Sequence, residues 1–360
     1  IAALGLEALA STRSPGLTAL MEVAGVAPPL SATDIGFRLG PRLNAPGRLD
    51  AADKALQLLL SRSRTEARAL AAELDRWNRD RQASEQQVVS EAREAVLQRA
   101  ESQPDGEMPP ILVAWSERWH RGVVGIAAGR LAREFHRPTL LLAVEEDSAT
   151  GSGRSLPGIH LHGFLDAWRD DLLRFGGHAQ AVGLTAPRAE LDSLRDAWEA
   201  AARRWLDVVR TRHRRYELSV TVDQVTPALL DQIERLAPFG QGNARPLLRV
   251  RGPLTLLGPP RRFGNGHLSA LCRPADGEAP PLRLLGWGWQ ARSGDLEAAP
   301  FELLGHLEHD RYRGGIVLRL VDARAHDPAR DDDPLTIAPI VPIAQAASAR
   351  AADAPAEPSP

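Results

Sequence analysis

Residues 151–184 read GSGRSLPGIHLHGFLDAWRDDLLRFGGHAQAVGL. Two small polar clusters, GSGRS at 151–155 and FGGHA at 175–179, bracket a segment whose pattern predicts a helix from about His162 to Arg174. Glycine inside a regular element costs stability, so glycines set around one arginine and then one histidine mark special backbone angles or a close approach by another group. After the second cluster HAQAVGLT reads as a strand. The fold turns on whether the neighbouring segments continue this alternation.

They do. Upstream, PPILVAW and TLLLAVEE read as short buried strands around a helix GVVGIAAGRLAREFHRP that ends before Pro138. Downstream, AELDSLRDAWEAAARRWLDVV has the apolar spacing of an amphipathic helix. Strands alternating with helices predict an α/β layer with parallel pairing somewhere in its sheet.

The flanks differ in texture. Residues 1–30 read helix, turn, helix, with Pro15 near a helix start and Gly25 at its end, and Ser31 or Thr33 is placed to cap the next short helix. Residues 50–102 read as a long helical region whose second half is charged around a narrow apolar stripe, the pattern of a connecting helix. From Tyr216 onward, YELSVTVDQV, LLRVRGPLTLLG, HLSALCR, PLRLLGWGW and FELLGHLEHDRYRGGIVLRLVDAR are short runs divided by Gly, Pro and Asn, with a helix at TPALLDQIERLAPFG. Five strands and one helix suggest an OB-fold barrel. From about His326 the chain is acidic and rich in Ala and Pro, a composition that predicts disorder.

Composition excludes several classes. At 43% hydrophobic and 25% charged residues the 360-residue chain has an ordinary globular make-up, with room for two or three domains. No apolar run approaches the roughly 20 residues that span a bilayer. IAALGLEALA lacks the basic start of a signal peptide. Cys272 is the single cysteine, which excludes internal disulfides and multi-cysteine metal sites and fits a reducing compartment such as the cytoplasm. The net charge of −2 selects no partner, and Lys54 is the only lysine among 44 basic residues.

Four motifs carry candidate chemistry. In GPRLNAPGRLD, residues 40–50, Arg42, Asn44 and Arg48 sit in a glycine and proline frame, either as phosphate contacts or as surface groups of a tight interhelix turn. In WHRGVVGIAAGRL, His120 and Gly122 precede a helix whose free N–H groups attract anions, although close helix–sheet packing also asks for Gly122 and Gly125. GSGRS offers Ser152, Arg154 and Ser155 on a glycine loop, a phosphate cradle or a hairpin turn. FGGHA places His178 at a strand entry, for an oxyanion, a base or a structural contact. If both strand ends lie on one edge of the sheet, Arg154 and His178 face one ligand, and a backbone phosphate fits it.

In this order, GPRLNAPGRLD, WHRGVVGIAAGRLAREFHRP, GSGRSLPGIHLHGFL and RFGGHAQAVGL resemble the RecJ family of single-strand-specific 5′→3′ DNA exonucleases, within the DHH phosphoesterase superfamily. APFGQGNARPLL and DRYRGGIVLRLVD are similar to that family's OB domain, and the resemblance covers about residues 1–325. It implies an α/β DHHA1 domain followed by an all-β OB-fold and preceded by a long connecting helix. The implied boundaries are 1–49 for the end of a DHH domain and its phosphate-contacting turn, 50–104 for the connecting helix, 105–210 for DHHA1, 216–325 for the OB-fold and 326–360 for the tail.

By this resemblance Ser152 and Arg154 engage the 5′ end, His178 contacts the backbone near the cut, and Arg42, Asn44 and Arg48 touch phosphates. His120, Gly176, Gly177, Arg311 and Arg313 are further substrate contacts. Among aromatics, Phe263, Trp287, Trp289 and Tyr312 are candidates for base stacking, with Arg261 and Arg262 nearby, although core packing is the commoner role of a tryptophan.

The family's Mn²⁺ or Mg²⁺ is held by the DHH domain. This sequence contains no DHH and no DxD in a strand context, and it opens on Ile1. The reading therefore expects a fragment without metal ligands, inactive alone, that grips single-stranded DNA beside repair and single-strand-binding proteins. The alternatives are a stand-alone single-strand-binding module and a phosphoesterase for short oligonucleotides.

Overall fold

Ser14 and Gly25 bound the first well-defined helix as their chemistry predicts. Helix α1 (Ala2–Ala10) precedes α2 (Pro15–Ala24), where the Ser14 hydroxyl accepts the Leu17 N–H and Gly25 closes the helix in the left-handed conformation at φ 61°. The computed structural model describes residues 1–45, 53–103, 106–210, 216–240, 242–264, 266–277, 279–297, 300–310 and 312–326. The chain divides into two units, Ile1–Arg212 and His213–Pro360.

The expected glycine and proline turn after residue 40 is helical where it is described. Helix α3 (Ala32–Asp34), capped by Ser31, runs through a π-helical turn (Ile35–Leu39) into α4 (Gly40–Asn44). Pro41 lies in the first turn of α4, where its missing N–H costs nothing. Arg48 and the rest of 46–52 lie outside the described residues.

The long helical region is two helices. Helix α5 (Asp53–Leu60) ends, and Ser63 caps α6 (Arg64–Glu101), which at 38 residues is about 57 Å long. Leu70 and Leu74 of α6 bury against Leu20 and Leu58, while Val88, Val89 and Val96 bury against the next domain.

That domain contains β1 (Leu112–Ser116), α7 (Arg121–Phe135), β2 (Thr139–Glu145), β3 (Ser148–Arg154), α8 (Leu161–Leu165), β4 (Arg174–His178), β5 (Ala181–Pro187), α9 (Leu191–Ala201) and α10 (Leu206–Arg210). The strand order is β1-β2-β3-β5-β4, parallel only between β1 and β2. Helices α6 and α7 cover one face, over Leu112, Ala114, Leu141 and Ala143. Leu161, Phe164, Leu194 and Trp198 cover the other face, over Leu140, Leu142, Val182 and Leu184.

Two sequence expectations fail here. GSGRS is not a loop: residues 151–154 are the second half of β3, and Ser155 follows the strand. Its glycines serve close packing, since a Cβ on Gly151 would lie 2.4 Å from the Leu141 carbonyl oxygen and one on Gly153 would lie 2.5 Å from Leu140 and Val182. The predicted helix to Arg174 stops at Asp171, and RFGGH becomes β4, because backbone pairing with β5 outweighs local preference.

The second unit holds β6 (Leu218–Val220), α11 (Pro227–Glu234), β7 (Leu248–Leu256), β8 (Arg261–Phe263), β9 (His267–Pro274), β10 (Leu282–Gly286), α12 (Gly294–Glu297), β11 (Phe301–His309) and β12 (Ile316–Ala325). Pairing runs β7-β11-β12-β10-β9 and returns to β7, a closed five-stranded barrel. The barrel is the expected OB-fold, with a different assignment of parts. The first run, β6, pairs in parallel onto β7 outside that ring, and α11 precedes the barrel. The helix inside the barrel's sequence is the short α12, between β10 and β11.

On the barrel's outer face Arg249 of β7 and Glu302 of β11 form a buried ion pair at 2.7 Å, with Arg324 on the second carboxylate oxygen. Cys272 is buried in the barrel core, which pushes its thiol up to about 12. No helix among the described residues is long and apolar enough to cross a membrane.

Candidate nucleic-acid interface

Cross-strand register decides what the first unit displays. Ala181 on β5 pairs with Arg154 on β3 and with His178 on β4. Directly opposed residues in antiparallel strands share a face, so the arginine and the histidine flank Ala181, two strand spacings or about 10 Å apart. Ser152, Gly183 and Gly176 form the next row, and Thr150, Thr185 and Arg174 the one after.

Helix α7 covers this face at β1 and β2 and ends over β3. Beyond it, a Cβ on Gly183 or Gly176 would meet nothing within 4 Å. The result is an open shelf with a glycine floor, hydroxyls from Ser152, Thr150 and Thr185, and cations at its rim. Thr150 and Thr185 hold each other at 3.2 Å.

Arg154 is bedded on α7. A Cβ on Gly125 would sit 3.0 Å from Arg154 Nη2 and 3.1 Å from Ser152 Oγ. Arg154 Nη1 donates to the Gly153 carbonyl at 2.8 Å. Gly125 therefore fixes two candidate phosphate donors at once.

The histidines use their Nδ1 atoms locally. His120 caps α7 by accepting the Gly122 N–H at 3.0 Å, and His178 accepts the Gln180 N–H at 3.4 Å. In each neutral ring the proton then sits on Nε2, a donor for an oxyanion. Both side chains are exposed. Gly177 has a different task from Gly176: at φ 134° its Cβ would lie 2.4 Å from the Ala181 carbonyl oxygen, so the tight β4–β5 turn requires glycine.

Arg42 is committed elsewhere. Its Nε and Nη2 lie 2.9 Å from Asp75 of α6, and Nη1 donates to the Arg38 carbonyl at 2.6 Å. It ties α4 to α6, and its side chain is 16% exposed, so the structural reading of this arginine prevails. Asn44 is exposed at the end of α4.

In the barrel the candidates fall on the surface that OB-folds use, namely the second and third strands and two loops. Those strands are β9 and β10. Phe263, His267 and Trp287 cluster with ring centroids 4.7–5.8 Å apart, and Trp287 is 49% exposed. Arg261 and Arg262 are exposed beside them on β8. Trp289 is buried in the barrel core, so only Trp287 of the pair is a stacking candidate.

The β11–β12 loop carries Tyr312, 92% exposed, and Arg313. The Asp310 carboxylate accepts both of their backbone N–H groups at 3.0 Å. Its pKa is lowered: burial alone would raise it, but those two bonds and the charges of Arg283 and Arg313 outweigh burial. Arg311 lies outside the described residues.

Sequence reasoning gave no part in the site to Gly125, Thr150, Arg174, Gly183 and Thr185. The period-two alternation of RFGGHAQAVGLT was the available signal, once RFGGH is read as a strand. Among the described residues no group of three or more His, Cys, Asp or Glu side chains converges to hold a metal ion.

Both units match domains of known proteins. A family model for the DHHA1 domain matches residues 109–204, and one for the RecJ OB domain matches residues 216–321. The single-stranded-DNA-specific exonuclease RecJ of Salmonella typhimurium is 34% identical over 270 residues, 73% of this chain and 46% of the relative. RecJ of Thermus thermophilus is 34% identical over 331 residues, 89% of this chain and 44% of the relative. The crystal structure of RecJ from Thermus thermophilus in complex with Mn²⁺ superposes with a TM-score of 0.72 at 30% identity, covering 90% of this chain and 46% of that one. The chain spans less than half the length of these relatives.

Proposed function

The chain carries a DHHA1 domain and a RecJ OB domain, and from that premise we propose that it is the strand-gripping part of a RecJ-like 5′→3′ exonuclease specific for single-stranded DNA. The observation that carries the reading is the row Arg154–Ala181–His178 at the end of a bare glycine shelf. Such a floor admits a sugar–phosphate backbone without steric cost. The guanidinium and Ser152 hydroxyl bind the 5′ phosphate, and His178 Nε2–H donates to the next phosphodiester. Charge-assisted bonds of this kind are short and strong.

On the barrel, Trp287, Phe263 and Tyr312 stack bases, and Arg261, Arg262 and Arg313 meet phosphates. Stacking is tolerant of sequence because every base has a π-face. His120 Nε2–H adds a contact at the α7 N-terminus, and Asn44 supplies one from α4.

The similar Thermus thermophilus structures hold Mn²⁺ or Mg²⁺. Such an ion supplies an activated water for phosphodiester hydrolysis. Among the described residues no three His, Cys, Asp or Glu side chains converge on such an ion, and in this reading they bind and orient the strand. The chain by itself is expected to release no nucleotides. It works in the cytoplasm, in recombination and repair, beside proteins that handle single strands.

Fluorescence anisotropy with 5′-phosphorylated and 5′-hydroxyl single strands tests the reading. Arg154→Ala weakens binding of the phosphorylated strand by about tenfold, the worth of one charge-assisted bond, and leaves the hydroxyl strand nearly unchanged. Equal losses on both strands would remove 5′-end recognition from this site.

A further inference from the structure

The connecting helix buries polar groups where an ordinary solvated helix would not. Asn78, Arg81 and Glu85 follow at spacings of three and four on one face of α6, and Asn78 and Glu85 are 1% and 5% exposed. Both oxygens of Glu85 are used. Oε2 accepts from Arg81 Nη1 at 2.7 Å, and Oε1 forms an ion pair with Arg130 Nε, on α7, at 2.9 Å. Arg81 in turn donates to Asn78 Oδ1 at 3.2 Å.

Arg130 is held at one atom only. Its Nε is on Glu85, and its side chain is 51% exposed. Its two terminal nitrogens make no hydrogen bond to any described residue. The fork is therefore fixed at its base and open at its tip, the arrangement that suits a phosphate.

The rest of α7 shows what the tip faces. Gly122, Ile126, Gly129 and Arg133 share one helix face at spacings of four, three and four, and none of them is buried. Gly125, to one side of that face, touches Arg154 and Ser152. Arg130 lies to the other side, against α6. A Cβ on Gly129 would be 3.7 Å from Arg154 Cγ and 3.8 Å from Arg133 Nη1. The open face is thus a shallow trough with Arg154 along one wall and Arg130 along the other, about one helix diameter or 10 Å apart.

We propose that Glu85 is a positioning residue for strand binding: from the connecting helix it holds Arg130 on the far wall of the α7 trough, so that Arg130 and Arg154 bracket one nucleic-acid strand. This rests on the reading of the shelf as a nucleic-acid surface. Glu85 itself touches no strand. It acts through Arg130, and Arg81 and Asn78 hold the carboxylate in place from the other side.

The sign of one substitution separates this role from bulk electrostatics. Removing a carboxylate near a polyanion, by charge alone, strengthens binding. A positioning role requires the opposite. The full chain is titrated with a fluorescein-labelled single-stranded oligothymidylate over a series of salt concentrations, with thermal melting as the folding control.

Glu85→Gln and Arg130→Gln each weaken binding by about tenfold, the loss of one charge-assisted contact. Each lowers the salt slope by about 0.7, the value of one phosphate contact on a single strand. The double variant loses no more than either single one. Glu85→Asp keeps the charge but withdraws the carboxylate by one methylene, and it lowers the slope as well, which keeps the test open should the glutamine variant fail to fold.

Tighter or unchanged binding by folded Glu85→Gln, with an unchanged slope, overturns the proposal, and so do losses that add in the double variant. If the parent chain binds no oligothymidylate, the nucleic-acid reading of the shelf fails and takes this proposal with it. Binding by the parent that both variants leave intact sinks the positioning role alone.

Discussion

Gly125→Ala tests the shelf through a residue that touches no ligand. The added Cβ lies 3.0 Å from Arg154 Nη2, 3.1 Å from Ser152 Oγ and 3.3 Å from Ser152 Cβ. Comfortable non-bonded contacts begin at about 3.5–4.0 Å, so both side chains recede by about 0.5–1 Å. Two stability terms oppose each other. Alanine in place of glycine inside a helix contributes about 1 kcal/mol. Overpacking at a tight contact costs about 1–3 kcal/mol. The net loss is about 0–2 kcal/mol, a drop of at most about 4–8 °C in a unit of this size. Binding suffers more, because two donors move together. Losing one charge-assisted bond costs about 1.5–3 kcal/mol, at least tenfold in affinity for a 5′-phosphorylated strand. Anisotropy against phosphorylated and hydroxyl strands reads the effect, and a melting curve reads the stability. Unchanged affinity for the phosphorylated strand, with the melting point lowered, would refute the link between Gly125, Arg154 and the 5′ phosphate.

Two further outcomes concern the barrel. Trp287→Ala removes an exposed stacking surface worth about 1–3 kcal/mol per base, so affinity for single strands falls about tenfold while the melting temperature barely changes; a large melting shift with intact binding would return Trp287 to a packing role. His306 lies partly buried, with Nδ1 2.9 Å from the Pro246 carbonyl oxygen. Burial holds its pKa below the ordinary 6.5, although the Pro246 bond pulls the other way. The unfolded chain therefore takes up this proton first, so the stability contribution is complete above 6.5 and is lost as the pH falls below it. His306→Asn flattens that part of the melting-temperature profile, and an identical acid-side fall in the variant would remove His306 as its cause.

Much of the fold was legible in local chemistry. Pro15 and Gly25 announced α2, and of Ser31 and Thr33, the two residues placed to cap α3, Ser31 does so, because caps and left-handed closures are properties of a few adjacent residues. The strand runs of the barrel were legible for the same reason, through their spacing and turn residues. The parts that failed depend on partners distant in sequence. RFGGH has no strong strand preference and becomes one because β5 supplies hydrogen bonds. Arg42 looked like a phosphate ligand until Asp75, on another helix, claimed it. Trp287 and Trp289 stand two residues apart in one motif, yet the barrel buries one and exposes the other.

By itself the sequence determined which chemical groups are present, their order, and the helices and strands whose signals are local. It also held the motifs that resemble the RecJ family. Only the tertiary structure decided which of those groups meet. Register across β3, β5 and β4 brought Arg154 and His178, 24 positions apart in sequence, to the same row of the sheet. The packing of α6 on α7 placed Glu85 on Arg130. Hydrogen-bond register and interhelix contact are long-range constraints, satisfied by the whole chain together, and no window of neighbouring residues contains them.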